Sequence, residues 1–184
     1  MRRIILTLLL LASGPLFAQS DTDILKAILS EYYKTEKVVV KGRMQYLFLY
    51  CGKANNNEQL FKTIDEMKLA KPVAAGLRKE ILSDKAEESW TADLEPIFRV
   101  RPTLRNKVNT CLTLEQYHQE QKIRTTHNQR LMIVSKPLIY GKGKHALVKV
   151  EFYRSVEHNN GSVLRLENIN NEWVIQEYLD PWST

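Results

Sequence analysis

The side chains with the widest chemical reach are a run of cations, two cysteines, four histidines and several neighbouring carboxylates. Arg99, Arg101, Arg105 and Lys107 gather around Pro102, and Lys122, Arg124 and Arg130 follow. Clustered guanidinium groups can grip carboxylates or phosphates through paired N–H donors. Arg99, Arg101, Arg105 and Lys107 are therefore a candidate ligand-binding patch for an anionic polymer or lipid headgroup. A solvated basic loop is the plainer fate of such a run.

Other chemistries lack their local signatures. His118, His127, His145 and His158 fall in four segments, with no His-x-x-x-His and no Cys/His knot, so no metal site is expected. The chain has no Gly-x-Ser-x-Gly nucleophile turn and no glycine-rich phosphate loop. Gly141-Lys142-Gly143 reads as a hairpin turn. Glu87-Glu88, Asp93 with Glu95, and Asp65-Glu66 could supply an acid and a base for glycoside hydrolysis, which needs two carboxyls held across a cleft. Surface charge is their default reading. No catalytic residue and no cofactor is assigned.

The first residues read as an address. Met1-Arg2-Arg3 is a basic start, Ile4 to Ala12 is apolar apart from Thr7, and Ser13-Gly14-Pro15 breaks the run before Leu16-Phe17-Ala18. That order is a secretory signal peptide, with cleavage expected after Ala18. A spanning helix needs about 20 apolar residues, and this run is shorter. Residues 19–184 are then one domain of 166 residues with 25 basic and 21 acidic side chains, a mild +4. The protein is expected to be periplasmic or secreted, with no transmembrane segment after cleavage.

Export makes the cysteines readable. Cys51 and Cys111 are an even pair, and an oxidising compartment favours a disulfide between them. Two buried free thiols are the alternative. Neither belongs to a Cys-x-x-Cys unit, so a redox role is not indicated.

The elements that must position these residues run helices first and strands last. Ile24, Leu25, Ile28, Leu29 and Tyr32 share one helical face, with Ser20 and Asp23 as a capping-box-like start. Lys37 to Val40 and Met44 to Tyr50 read as strands. Leu60, Phe61, Ile64 and Met67 mark a helix, and Pro72 opens another carrying Val73, Leu77 and Ile81. Trp90 to Phe98 is a short helical piece, Arg99 to Asn109 is irregular, and Thr113 with Gln116 caps a helix to Ile123. Leu131 to Val134 is a strand ended by Pro137. Ala146 to Tyr153 alternates as a strand, Asn159-Asn160-Gly161 is a turn signal, and strands through Leu179 follow. The fold class is α+β: N-terminal helices packed on a largely antiparallel sheet that ends in a β-meander.

Val134-Ser135-Lys136-Pro137-Leu138-Ile139, then Ala146-Leu147-Val148, Gly161-Ser162, Trp173-Val174 and Trp182-Ser183 form a connected pattern. Over the last third of the chain it resembles small exported bacterial proteins of unassigned function. These carry a Ser-x-Pro-Ile/Leu strand, an Ala-x-Val strand and a closing Trp strand. Many of them also have Cys-Gly pairs in the hairpin, where this chain has Tyr153-Arg154-Ser155 and Gly161. The resemblance implies export and fold, and no activity.

The resulting expectation is a non-enzymatic exported domain that binds an envelope protein or an anionic envelope ligand. Nucleic acid is not expected, because export removes the chain from the usual pool and no recognition motif is present. An envelope hydrolase with a site assembled from distant residues is the alternative, and an accessory component of a secreted complex is a third.

Overall fold

The computed structural model describes residues 15–34, 39–40, 43–44, 48–54, 57–83, 88–108, 110–123 and 130–184. The apolar run Ile4 to Ala12, Glu87, Arg124 and His127 lie outside the described residues.

Helix α1 (Pro15–Tyr33) buries Ile24, Leu25, Ile28, Leu29 and Tyr33 along one face. It begins eight residues before the predicted Asp23 start, with Pro15 in the first turn, where its fixed φ suits a helix and its missing N–H costs nothing. Ser20 is thus inside the helix in the full chain. A two-stranded ribbon, β1 (Val39–Val40) with β2 (Arg43–Met44), follows. The remaining strands are β3 (Phe48–Tyr50), β4 (Cys111–Leu112), β5 (Leu131–Val134), β6 (Leu138–Tyr140), β7 (His145–Ser155), β8 (His158–Ile169) and β9 (Glu172–Ser183). They form one sheet in the order β4-β3-β5-β7-β8-β9, with β6 also paired to β7. The β3 pairings with β4 and β5 are parallel, and the rest are antiparallel.

Both faces of this sheet are covered. Alternation along β7 sends Ala146, Val148 and Val150 to the side of α1, α4 (Thr91–Val100) and α5 (Pro102–Arg105). Leu147 instead meets α2 (Asn57–Glu66) and α3 (Lys71–Ser83) through Leu60, Ile64, Leu77 and Ile81. That double coverage leaves Ala146 through Val150 buried without interruption. Helix α6 (Leu114–Ile123) starts with the reciprocal cap predicted for Thr113 and Gln116. The Thr113 N–H donates to Gln116 Oε1 at 2.8 Å, and the Gln116 N–H donates to Thr113 Oγ1 at 3.2 Å.

Two sequence expectations change. The segment after Arg99 is not wholly irregular: Pro102 opens the one-turn helix α5, which buries Leu104. Asn159-Asn160-Gly161 is not a turn but lies within β8, and the chain reverses at Val156-Glu157. The glycine is required for close approach rather than for positive φ. A Cβ on Gly161 would stand 2.3 Å from the Trp182 ring and 2.5 Å from the Val150 carbonyl oxygen. Asn170-Asn171 does turn, with both φ values positive (53° and 66°).

Candidate functional site

The richest polar convergence is built around Lys53, in the segment that leaves β3. That segment is tied on every side. The Cys51 N–H donates to the Leu112 carbonyl at 2.9 Å, and the Cys51 carbonyl accepts from the Trp90 N–H at 2.8 Å. The Lys53 N–H donates to the Glu88 carbonyl at 2.9 Å. Cys51 and Cys111 have their sulfurs at bonding distance and their Cα atoms 4.8 Å apart, 60 residues apart in sequence. Trp90 is fully buried below, its indole N–H donating to the Val134 carbonyl at 3.1 Å.

Held in this way, the Lys53 ammonium lies 2.8 Å from Asp21, 3.6 Å from Glu88 and 3.6 Å from Asp93. It also sits over the Trp90 ring, 4.4 Å from the centroid. Only 8% of its side chain is exposed. Thr22 donates to Asp93, and Lys136 donates to Glu88 at 2.5 Å, which ties α1, α4 and the Pro137 corner into one network. Burial pushes the Asp21 carboxyl up, and the Lys53 contacts only partly offset it. Lys53 is also shifted up: burial acts downwards, but the Asp21 hydrogen bond and the three carboxylates outweigh it. The partners of one ion pair thus move in the same direction, because Lys53 is served by three carboxylates and Asp21 by one ammonium.

The network forms a wall of a cavity of about 840 Å³. Asp21, Glu80 and Glu88 line it with Lys53, Lys136 and Lys142, over a floor that includes Pro137, Ile139 and Tyr140. Three carboxylates and three ammonium groups therefore face one space. Asp21 and Glu88 line this cavity together. Lys53 stands between them as their shared counterion, so neither is placed as a free acid or base.

The predicted basic patch does not converge. Arg99 is exposed on α4. Arg105 is paired to Glu95 at 2.6 Å and packs on the Phe98 ring. Lys107 donates to the Tyr33 carbonyl, where a cation suits the C-terminus of α1. Arg101 lines a groove of about 550 Å³ between α1 and β9 that also holds Trp173 and Tyr178. The lysines on that groove are paired, Lys26 with Asp23 at 2.5 Å and Lys34 with Glu31 at 3.6 Å.

The remaining sequence candidates separate. Asp65 pairs with Arg78, and Glu95 goes to Arg105, whereas Glu88 and Asp93 both reach Lys53. His118 packs beside Tyr117 and Tyr153, His145 beside Tyr140, and His158 in the β7–β8 turn. There Ser155 Oγ and His158 Nδ1 are 3.1 Å apart, an exposed contact across a turn with no carboxylate on the imidazole among the described residues. No group of three metal-ligating side chains occurs among the described residues, and no described helix is long and apolar enough to cross a membrane.

Sequence reading missed Asp21, Lys53 and Lys136. Their one visible signal was the position of Lys53 two residues after Cys51. No family model, curated protein or solved structure matches this chain.

Proposed function

We propose that this chain is an exported, non-enzymatic binding domain whose cavity beside Lys53 takes a polar ligand carrying both signs of charge. The signal-peptide pattern supports export, and the Cys51–Cys111 pair suits an oxidising compartment. One observation carries the binding reading: three carboxylates and three ammonium groups line a single cavity, and mutual pairing fixes several of them in place. Fixed charges of both signs favour a ligand with complementary groups of both signs and disfavour a simple polyanion. A short peptide with free termini has that chemistry.

Two measurements test the reading. N-terminal sequencing of the protein recovered outside the cytoplasm should begin at Gln19. In NMR titrations, triglycine with free termini should perturb Lys53, Lys136 and Lys142. Acetylated, amidated triglycine should bind at least about tenfold more weakly, the loss expected for removing charge-assisted hydrogen bonds. Equal binding of the two peptides, or no perturbation by either, would remove this reading.

A further inference from the structure

Beside Ser135, whose N–H donates to the Lys149 carbonyl at 2.9 Å, the sheet carries a second polar group that does not line the Lys53 cavity. Lys149 points to the same face as Leu147, away from the α1 core, and only 5% of its side chain is exposed. Its ammonium lies 3.0 Å from the Glu151 carboxylate, itself 15% exposed. On the other side is the Trp182 ring, 5.1 Å from the ammonium to the centroid. Sheet register assembles this group: Ile133 is opposite Glu151, Glu151 opposite Gly161, and Gly161 opposite Trp182. The missing side chain at Gly161 lets the Trp182 ring lie on the strand.

Lys149 and Glu151 line a cavity of about 270 Å³, bounded by Tyr50, Ala54, Leu114 and Ile133. These walls are largely apolar. The Tyr50 ring is laid along the backbone at Gly52, where a Cβ would stand 2.8 Å from it. Ser135 is not a free nucleophile here: its Oγ accepts from the Lys149 N–H at 2.9 Å and lies 3.2 Å from the Lys136 carbonyl.

A buried ammonium has three donors and a carboxylate about four acceptor sites. Beyond their mutual contact and the Trp182 ring, both groups keep hydrogen-bonding capacity and both line the cavity, and buried charge is costly unless that capacity is met. We propose that this cavity is a binding site for a small, largely apolar molecule bearing one neutral head group that both donates and accepts hydrogen bonds. A primary carboxamide fits: its oxygen accepts from Lys149 while its N–H donates to Glu151. A carboxylate or an ammonium satisfies only one partner and adds net charge to a site whose fixed charges already cancel. An unsubstituted hydrocarbon fills the walls but leaves the ion pair unmet.

Benzamide, benzoate, benzylamine and toluene share one apolar body and differ in the head group, so they are the probes. In ¹⁵N-labelled protein, benzamide should shift the resonances of Ile133, Lys149 and Glu151 and saturate. Each of the other three should bind at least about tenfold more weakly, the usual consequence of a lost hydrogen bond to a charged group. Ile133→Phe fills the cavity while keeping both members of the ion pair, and should abolish benzamide binding while the thermal midpoint is kept. Lys149→Met should bring benzamide down to the affinity of toluene; should that variant fail to fold, Ile133→Phe still decides. Equal affinity for all four probes, no saturable shift with benzamide, or full binding by folded Ile133→Phe would each overturn the proposal. The free-terminus peptide reports on the other cavity, so the two readings fail separately.

Discussion

Two charged regions of this molecule have opposite histories. Arg99, Arg101, Arg105 and Lys107 are neighbours in sequence, yet their side chains part to solvent, a groove, a glutamate and a helix end. Asp21, Lys53, Glu88 and Asp93 are scattered over more than seventy residues, yet all four meet around one ammonium. The difference comes from what holds the backbone. The basic run lies on a helix end and a one-turn helix, whose geometry fans side chains outward. The Lys53 segment is clamped by a disulfide, a strand contact and an antiparallel pairing of Gly52 with Ser89, so its side chain has one place to go.

The largest expected effect breaks that clamp. Replacing Cys51 and Cys111 together with Ser should lower stability by about 4 kcal/mol, from the entropy of closing a 60-residue loop. Urea denaturation with and without reductant measures it. An unchanged midpoint on reduction would show that the other contacts hold the Lys53 segment alone.

A somewhat smaller loss should follow Lys53→Met, which removes the shared ammonium from three carboxylates, leaving Glu88 with Lys136 and Asp93 with Thr22 but taking the ion-pair partner from Asp21. Removing one partner of a buried ion pair costs about 3 kcal/mol at the lower end of the range, appropriate to a site that opens on a cavity. The pH dependence separates the partners. Lys53 is raised above 10.5 by its carboxylates, so its contribution is complete below pH 10.5 and is lost as pH rises through the higher folded value. Asp21 is raised above 3.8, chiefly by burial, so the folded state holds its proton longer than the unfolded state does. Its contribution therefore declines as pH rises from 3.8 through that higher value. The stability of the wild type minus that of Asp21→Asn should fall across this window; a rise would mean that pairing with Lys53 outweighs burial.

Local signals were legible in the sequence where local physics decides. Pro72, the Thr113–Gln116 cap and the alternation along β7 each depend on a few neighbouring residues, and each led to the right element. Gly161 misled because glycine serves two purposes. Beside two asparagines it reads as a turn, and only the fold brings Trp182 from the chain end onto it. The Lys53 network had no local signature at all. Lys53 sits in what reads as a polar loop, and its three carboxylates come from α1, α4 and Glu88, two residues ahead of Trp90. The basic run is the reverse case, since neighbours in sequence there point to different surroundings.

The smallest expected effect tests that last distinction. Arg99 and Arg101 are exposed, and the Arg105–Glu95 pair is more than half exposed on both sides. Exposed pairs contribute at most about 1 kcal/mol, so the triple Arg99→Ala, Arg101→Ala, Arg105→Ala variant should keep its fold and nearly all its stability. Retention on immobilised dextran sulfate then asks whether the run acts as one patch. Arg101 lines a groove beside Trp173 and Tyr178, whereas Arg105 is already paired to Glu95, so Arg101→Ala alone should reproduce nearly the whole change in salt elution seen with the triple variant. Three similar, additive steps would instead mean that side chains pointing in different directions still act together through their summed field, which is how a long flexible polyanion, unlike a small ligand, reads a surface. That outcome would return the anion-binding role to the basic run.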